Sequence, residues 1–338
     1  MTELKKLNDS IPAKLKTGKF ADYVLMETQY EKLNSLISKW KSDEQVPGIH
    51  DNLKSKISSI SSNSDKALLQ KRLTVIMDRL KITTKELKGL LTKAAREKGI
   101  PPEVVKSIAI TENGNLSQFL PNGEVFKSFD NGYGIMQVTP LSDEDQSIDD
   151  WKSIKYDLSY NIQKGVEILS EKWKYSFLPK VNNGEVNILE NWYFAIMAYN
   201  GLSDKINDPN KAANPYQIKV YEYMKNRTFM DPDIVKPKDA AFTVNPLHFD
   251  KMEVVTDYQT KSTQLYKKND QITISSTANF RTIPSTVNNT PKAFPKGTKV
   301  TILDDPIEDD NPANLFIWYK VSIAGEKGTW YVASFNLK

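Results

Sequence analysis

The sequence predicts a multidomain protein: an all-α N-terminal region and an all-α central domain, followed by a small all-β barrel. Three observations lead there. The chain has 338 residues, more than one core of roughly 150 residues organises. Apolar residues recur at spacings of three and four as far as about residue 228, and from Gln271 the period becomes two, between Pro and Gly turns. With 39% hydrophobic and 26% charged residues, each part has enough apolar surface to form a core.

The N-terminal region, 1–83, opens with a stripe of Tyr23, Met26, Tyr30, Leu33 and Ile37, ending near Trp40. Val46-Pro-Gly reads as a break and Leu53 to Ile60 as a short segment. Ser61-Ser-Asn-Ser-Asp reads as an N-cap before a second stripe of Leu69, Leu73, Ile76 and Leu80. Residues 1–100 carry 20 basic and 12 acidic side chains. The lysines alternate with acids, so they read as a solvated face, with an anionic partner such as teichoic acid or a membrane surface as the alternative and no nucleic-acid site claimed.

Residues 84–228 read as one helical domain. Lys85 to Lys98 carries Leu87, Leu90, Leu91 and Ala94 on one side and stops at Gly99; Ile100-Pro-Pro-Glu starts the next helix with proline in its first turn. On that helix, over 102–113, Val105, Ile108 and Glu112 share a face, which sets a carboxylate beside aliphatic side chains. A charge there costs free energy unless it is paired or its pKa is raised. A Gly-, Asn- and aromatic-rich loop follows (Gly114 to Gly134), then the turn Ile135-Met-Gln-Val, with further helices at about 157–174, 188–200 and 214–225. The acidic run Asp143 to Asp150 reads as a solvated loop, with a calcium site as the alternative. Residues 229–270, broken by Asp231-Pro, Lys236-Pro and Asn245-Pro, read as a linker or an extended wrap. In 271–338 the pairs Ile272/Ile274, Val300/Ile302, Phe316/Trp318, Tyr319/Val321 and Trp330/Val332 imply short strands of a small barrel. Of Trp318, Tyr319, Trp330 and Tyr331, one of each neighbouring pair is expected inside and the other exposed, as core or as a peptide groove.

Composition narrows the chemistry. The chain has no cysteine, which excludes a thiol nucleophile, disulfides and Cys-ligated metal centres, and its two histidines, His50 and His248, are far apart. Carboxylate, amide and aromatic chemistry is left, with no metal site and no cofactor expected. No apolar run has the length of a membrane span, so no stable membrane insertion is expected, and the first residues lack the apolar stretch of a signal peptide. Either the protein does not leave the cell by that route or the chain begins after the signal.

Glu112-Asn-Gly, then Asn131-Gly-Tyr-Gly-Ile-Met-Gln-Val, then Ala198-Tyr-Asn-Gly201 resembles, in order and in letters, the lysozyme-like domain of soluble lytic transglycosylases and goose-type lysozymes. Asn161-Ile-Gln-Lys-Gly is similar to that family's Asn-Ile-x-x-Gly helix. The resemblance implies a lysozyme-like fold for 84–228, peptidoglycan glycan strands as substrate and Glu112 as general acid and base. Within these motifs Gln137 and Asn200 are candidates for holding N-acetyl groups, since amides both donate and accept, and Tyr133 and Tyr199 for flanking the sugars; Asp130 and Met136 complete the substrate-binding candidates, with core packing the alternative for Met136 and Tyr199. Gly132 and Gly134 are expected to serve backbone conformation or close ligand approach.

Where the goose-type pattern has aspartates this sequence has Ser128 and Thr139, which favours transglycosylation over hydrolysis. Asp130 and Glu124 in the same loop keep a hydrolytic muramidase as the alternative. Asn113 stands where transglycosylases usually have serine, which puts that contact in doubt. A protein that binds or assembles on the wall without catalysis is the further rival. Asn279-Phe-Arg-Thr-Ile-Pro-Ser-Thr, Phe294-Pro-Lys-Gly-Thr-Lys-Val and Gly328-Thr-Trp-Tyr-Val are similar to bacterial SH3-like (SH3b) modules. That resemblance implies binding of cell-wall peptide, and with it an extracellular or wall location, as a secreted enzyme or a phage-derived lysin.

Overall fold

The structure is a computed structural model describing residues 45–78, 82–120, 125–139, 153–155, 157–235, 242–243, 248–249 and 251–338. The stripe Tyr23 to Trp40, the run Asp143 to Asp150, Leu80 and Glu124 lie outside the described residues. Two compact units form: the described parts of 1–82, 117–134 and 138–161 make one, and 83–116, 135–137 and 162–338 the other.

In the first unit α1 (Gln45–Ser58) and α2 (Asn63–Asp78) pack through Leu53, Ile57, Leu69 and Leu73, all buried. Val46-Pro-Gly is no break: α1 runs through it, because Pro47 stands in the first turn, where a missing N–H costs no helical bond. The Ser62 hydroxyl accepts from the Asp65 amide at 3.4 Å, as the N-cap reading requires. Further along, the loop 117–134 is pinned by two amides. Gln118 Nε2 donates to the carbonyls of Ile154 and Lys155, and Asn161 Nδ2 to those of Tyr133 and Ile154.

The second unit begins with α3 (Thr84–Glu97). Its N-terminus is set by a capping box: the Thr83 hydroxyl accepts from the Glu86 amide, and the Glu86 carboxylate accepts from the Thr83 amide. Gly99, at φ 70°, ends the turn after it. Helix α4 (Pro102–Glu112) is buried on every side from Pro102 to Ile110, not on one face only. It therefore encloses two further charges, Glu103 and Lys106, which the periodicity did not single out.

Helix α5 (Leu158–Trp173), whose first turn counts with the first unit, presents Ile162, Val166 and Leu169 to the core. Next come β1 (Lys180–Val181), a 3-10 turn (Glu190–Trp192) and the wholly apolar α6 (Tyr193–Tyr199), with Tyr193 to Ala198 buried. Short α7 (Asp204–Asn207) precedes α8 (Tyr216–Tyr223), which continues as a π-helical turn to Thr228 and ends at Phe229 in the left-handed region. Strands β2 (Phe242–Thr243) and β3 (His248–Phe249) pair antiparallel, and β4 (Glu253–Val254) pairs parallel with β1.

The C-terminal part is an antiparallel sheet of six strands: β5 (Gln271–Thr273), β6 (Ala278–Arg281), β7 (Lys292–Phe294), β8 (Lys299–Ile302), β9 (Trp318–Ile323) and β10 (Trp330–Ala333). Their order is β5-β8-β9-β10-β6-β7. Phe280, Val300, Ile302, Tyr319, Val321 and Val332 are in its core. The expected alternation of the aromatic pairs fails. Tyr319 is in that core, but its neighbour Trp318 is equally buried, in a second cluster with Phe316 and Ala333 on the opposite face. That face is covered, so alternation along β9 sends one side chain into each of two cores. Trp330 and Tyr331 are both half-buried.

Candidate active site

Glu112 is the last residue of α4, half-buried at the end of a helix whose preceding turns are inaccessible to water. The Tyr216 hydroxyl, from the first turn of α8, donates to Glu112 Oε1 at 2.5 Å. Tyr216 is itself buried, and burial first, then the Glu112 charge and this hydrogen bond, push its pKa well above the ordinary tyrosine value. It stays a neutral donor throughout the physiological range. Tyr199 is likewise pushed well up, by burial and by the nearby Glu112 charge. Two tyrosines thus flank the carboxylate from α6 and α8.

The turn 135–137 is held against this pair. The Tyr199 hydroxyl donates to the Met136 carbonyl at 2.7 Å. Met136 is fully buried, and it approaches α5 so closely that a Cβ on Gly165 would lie 2.5 Å from Met136 Cβ and 2.9 Å from the Tyr199 hydroxyl. What Met136 offers the site is its carbonyl and its packing. Gln137 follows in the left-handed region at φ 48°, an uncommon conformation for a residue with a side chain. Asn200 caps α6, and its amide oxygen is buried without a hydrogen-bond partner. Asn113, the C-cap of α4, turns its side-chain oxygen onto the Asn115 amide at 3.2 Å, so it serves the loop that leaves the helix.

Of the sequence-derived candidates, the second unit contains Glu112, Met136, Gln137, Tyr199 and Asn200. Asp130 and Tyr133 belong to the first unit. There the Ser128 hydroxyl donates to the exposed Asp130 carboxylate, and the Tyr133 ring is covered by the ammonium groups of Lys155 and Lys127, at 4.9 and 5.3 Å from its centroid. Gly134, at φ 74°, leaves no room for a side chain: a Cβ there would meet the Gln118 amide and lie 2.6 Å from Asn161 Nδ2. Tyr216 was missed by sequence reasoning. It stands 104 residues from Glu112, and only a Pro before a helix start marks it. Among the described residues no group of three or more His, Asp or Glu side chains could hold a metal ion, and no helix is long and apolar enough to cross a membrane.

Residues 89–221 match the family model described as the Transglycosylase SLT domain. The matched stretch contains Glu112, Met136, Gln137, Tyr199, Asn200 and Tyr216, and it indicates a lytic transglycosylase-type, peptidoglycan-cleaving function. No curated protein and no solved structure matches the chain.

Proposed function

We propose that the protein is a lytic transglycosylase that cleaves the β-1,4 bond from N-acetylmuramic acid to N-acetylglucosamine and leaves 1,6-anhydro ends, with Glu112 as acid and then base. The observation that carries this reading is the Glu112 carboxylate at the end of a buried helix, gripped by a neutral tyrosine within the stretch that matches the family. A protonated Glu112 gives its proton to the glycosidic oxygen as the C1–O4 bond breaks. The resulting carboxylate removes the proton of the muramyl 6-hydroxyl as that oxygen bonds to C1, which restores the acid. No water and no second carboxylate enter.

Each neighbour has a part in this scheme. Tyr216 orients Glu112 and stabilises its charged form after the first proton transfer. Tyr199 holds the Met136 carbonyl and with it the turn that presents Gln137. The unpartnered oxygen of Asn200 suits the N–H of an N-acetyl group. Ser128 and Thr139 in place of aspartates support transglycosylation over a muramidase, as does the engagement of Asp130 by Ser128. We further assign 84–228 to catalysis, 1–83 to a helical accessory region, 229–270 to a connecting segment and 271–338 to an SH3b module for wall peptide. The six-stranded sheet and the Asn279 motif support the last assignment. Its place of action is the cell wall.

The test is mass spectrometry of soluble fragments from purified peptidoglycan treated with wild type and Glu112→Gln in parallel. Anhydro-muropeptides from the wild type alone are expected. Reducing muropeptides would replace transglycosylation by hydrolysis and direct attention to Asp130 and Glu124, whereas silence from both proteins would refute catalysis in favour of wall binding.

A further inference from the structure

The β region is bonded into the helices that bring Glu112 to the site. On α4 both ionisable side chains upstream of Glu112 are fully buried, and both are completed from beyond residue 260. Glu103 accepts from the Ser262 hydroxyl at 2.8 Å, from the Thr263 amide at 2.9 Å and hydroxyl at 3.3 Å, and from the Gln264 amide at 3.1 Å. The Lys106 ammonium donates to Glu308 Oε1 at 2.9 Å. The same oxygen accepts from the Thr92 hydroxyl of α3 at 2.5 Å, so one carboxylate oxygen ties α3 to α4.

Beside it, Lys88 of α3 is also fully buried. Its ammonium donates to Asp309 at 2.8 Å, to the carbonyls of Asn311 and Asn314 and to the Asn314 side chain. Asp309 in turn accepts from the indole N–H of Trp318 on β9 at 2.9 Å. Phe229, at the end of the π-helical turn, packs on Phe316 and Phe335. A charge removed from water needs a fixed partner, and for these helices the partners come from the C-terminal part of the chain. Glu103 is completed by the connecting segment itself, but an independent module at the end of that segment would leave Lys88 and Lys106 buried without compensation.

We propose that the β region positions the helix of Glu112, with Glu308 as the positioning residue, so that it forms part of the catalytic body in addition to any wall-binding role. This rests on the reading of Glu112 as the acid. Lys106 lies about one and two-thirds turns before Glu112, about 9 Å along the axis. Any slide or rotation of α4 at Lys106 is passed rigidly to the carboxylate at its end, and a displacement of about 1 Å costs on the order of a hundredfold in rate.

The experiment compares full-length wild type, Glu308→Ala, Glu308→Gln and, as a control, Asp304→Ala, an exposed carboxylate of the same region. The substrate is peptide-free glycan strands, on which wall-peptide binding contributes nothing. Near-UV circular dichroism defines a temperature at which each variant is folded. At that temperature Glu308→Ala is expected to lose roughly tenfold or more in kcat with little change in KM, and its amides over 104–116 to exchange hydrogen faster. Glu308→Gln, which keeps an oxygen for Thr92 and Lys106, is expected to recover most of the loss, and Asp304→Ala to behave as wild type.

A folded Glu308→Ala with wild-type kcat and exchange would overturn the proposal. If that variant does not fold, Thr92→Val removes one bond to the same oxygen and leaves the ion pair; wild-type kcat in it would overturn the proposal equally. Failure of the catalytic reading is separately visible as a wild type no more active than Glu112→Gln. Hydrogen exchange alone then decides, and unchanged exchange in Glu308→Ala refutes positioning.

Discussion

Gly165→Ala sets helix propensity against packing at the site. In an open helix this substitution stabilises by about 1 kcal/mol, since alanine loses less backbone entropy than glycine. At position 165 the added methyl group would lie 2.5 Å from Met136 Cβ, 2.8 Å from Met136 Cγ and 2.9 Å from the Tyr199 hydroxyl, where ordinary contact begins at 3.4 Å. Met136 Cβ is fixed to the main chain, so the gap opens only if α5 or the turn 135–137 moves. Movement of either stretches the 2.7 Å bond from Tyr199 to the Met136 carbonyl and shifts Gln137 and Tyr199 relative to Glu112. Overpacking of this kind costs about 1–3 kcal/mol, which cancels or exceeds the propensity gain, and a shift near 1 Å costs on the order of 10²-fold in rate. The expected variant is folded, no more stable than wild type in urea unfolding, and slower by one to two orders of magnitude in muropeptide release, with the loss in kcat. A Gly165→Ala protein with undiminished kcat and a raised unfolding midpoint would show that the turn does not depend on this contact, and the reasoning would fail.

Two other perturbations probe single bonds. Tyr216→Phe deletes a hydrogen bond to a charged group, worth about 1.5–3 kcal/mol, and is expected to lower kcat by roughly ten- to a hundredfold with KM nearly unchanged; initial rates on peptidoglycan check it, and a loss confined to KM would remove Tyr216 from the acid–base machinery. Asp309 tests the buried ionic layer by acid unfolding. Burial alone raises its pKa, but the hydrogen bonds from Lys88 and Trp318 and the Lys88 charge outweigh burial and hold the carboxyl below its ordinary 3.8. The folded state thus binds this proton more weakly than the unfolded chain, so the contribution is in place above about pH 4 and lost as pH falls below it. Asp309→Asn is expected to flatten the fall in unfolding free energy below pH 4, and an unaltered slope would count against the assignment.

Helix ends were legible because their causes are local. Gly99 stops one helix and Pro102 opens the next by restricting the chain within a single turn. The Val46-Pro-Gly break failed for an equally local reason, since proline ends a helix only beyond its first turn. Glu112, Gln137 and Asn200 were singled out as candidates through letters that stand close together in short motifs. Tyr216 was not, because the bond that gives it meaning joins α4 to α8, and no spacing records a contact across 104 residues.

The sequence by itself determined where the backbone turns regular, which stretches are helical and which extended, and which carboxylate sits on an apolar helix, because these follow from side-chain periodicity and the conformational limits of Gly and Pro. Only the tertiary structure decided that Glu103, Lys106 and Lys88 are buried, that Trp318 and Tyr319 enter two different cores, and that Glu112 is held by Tyr216. A buried charge is tolerable only beside partners that desolvation has made strong. Those partners, Ser262 to Gln264, Glu308 and Asp309, come from residues some 160 to 220 positions further along the chain.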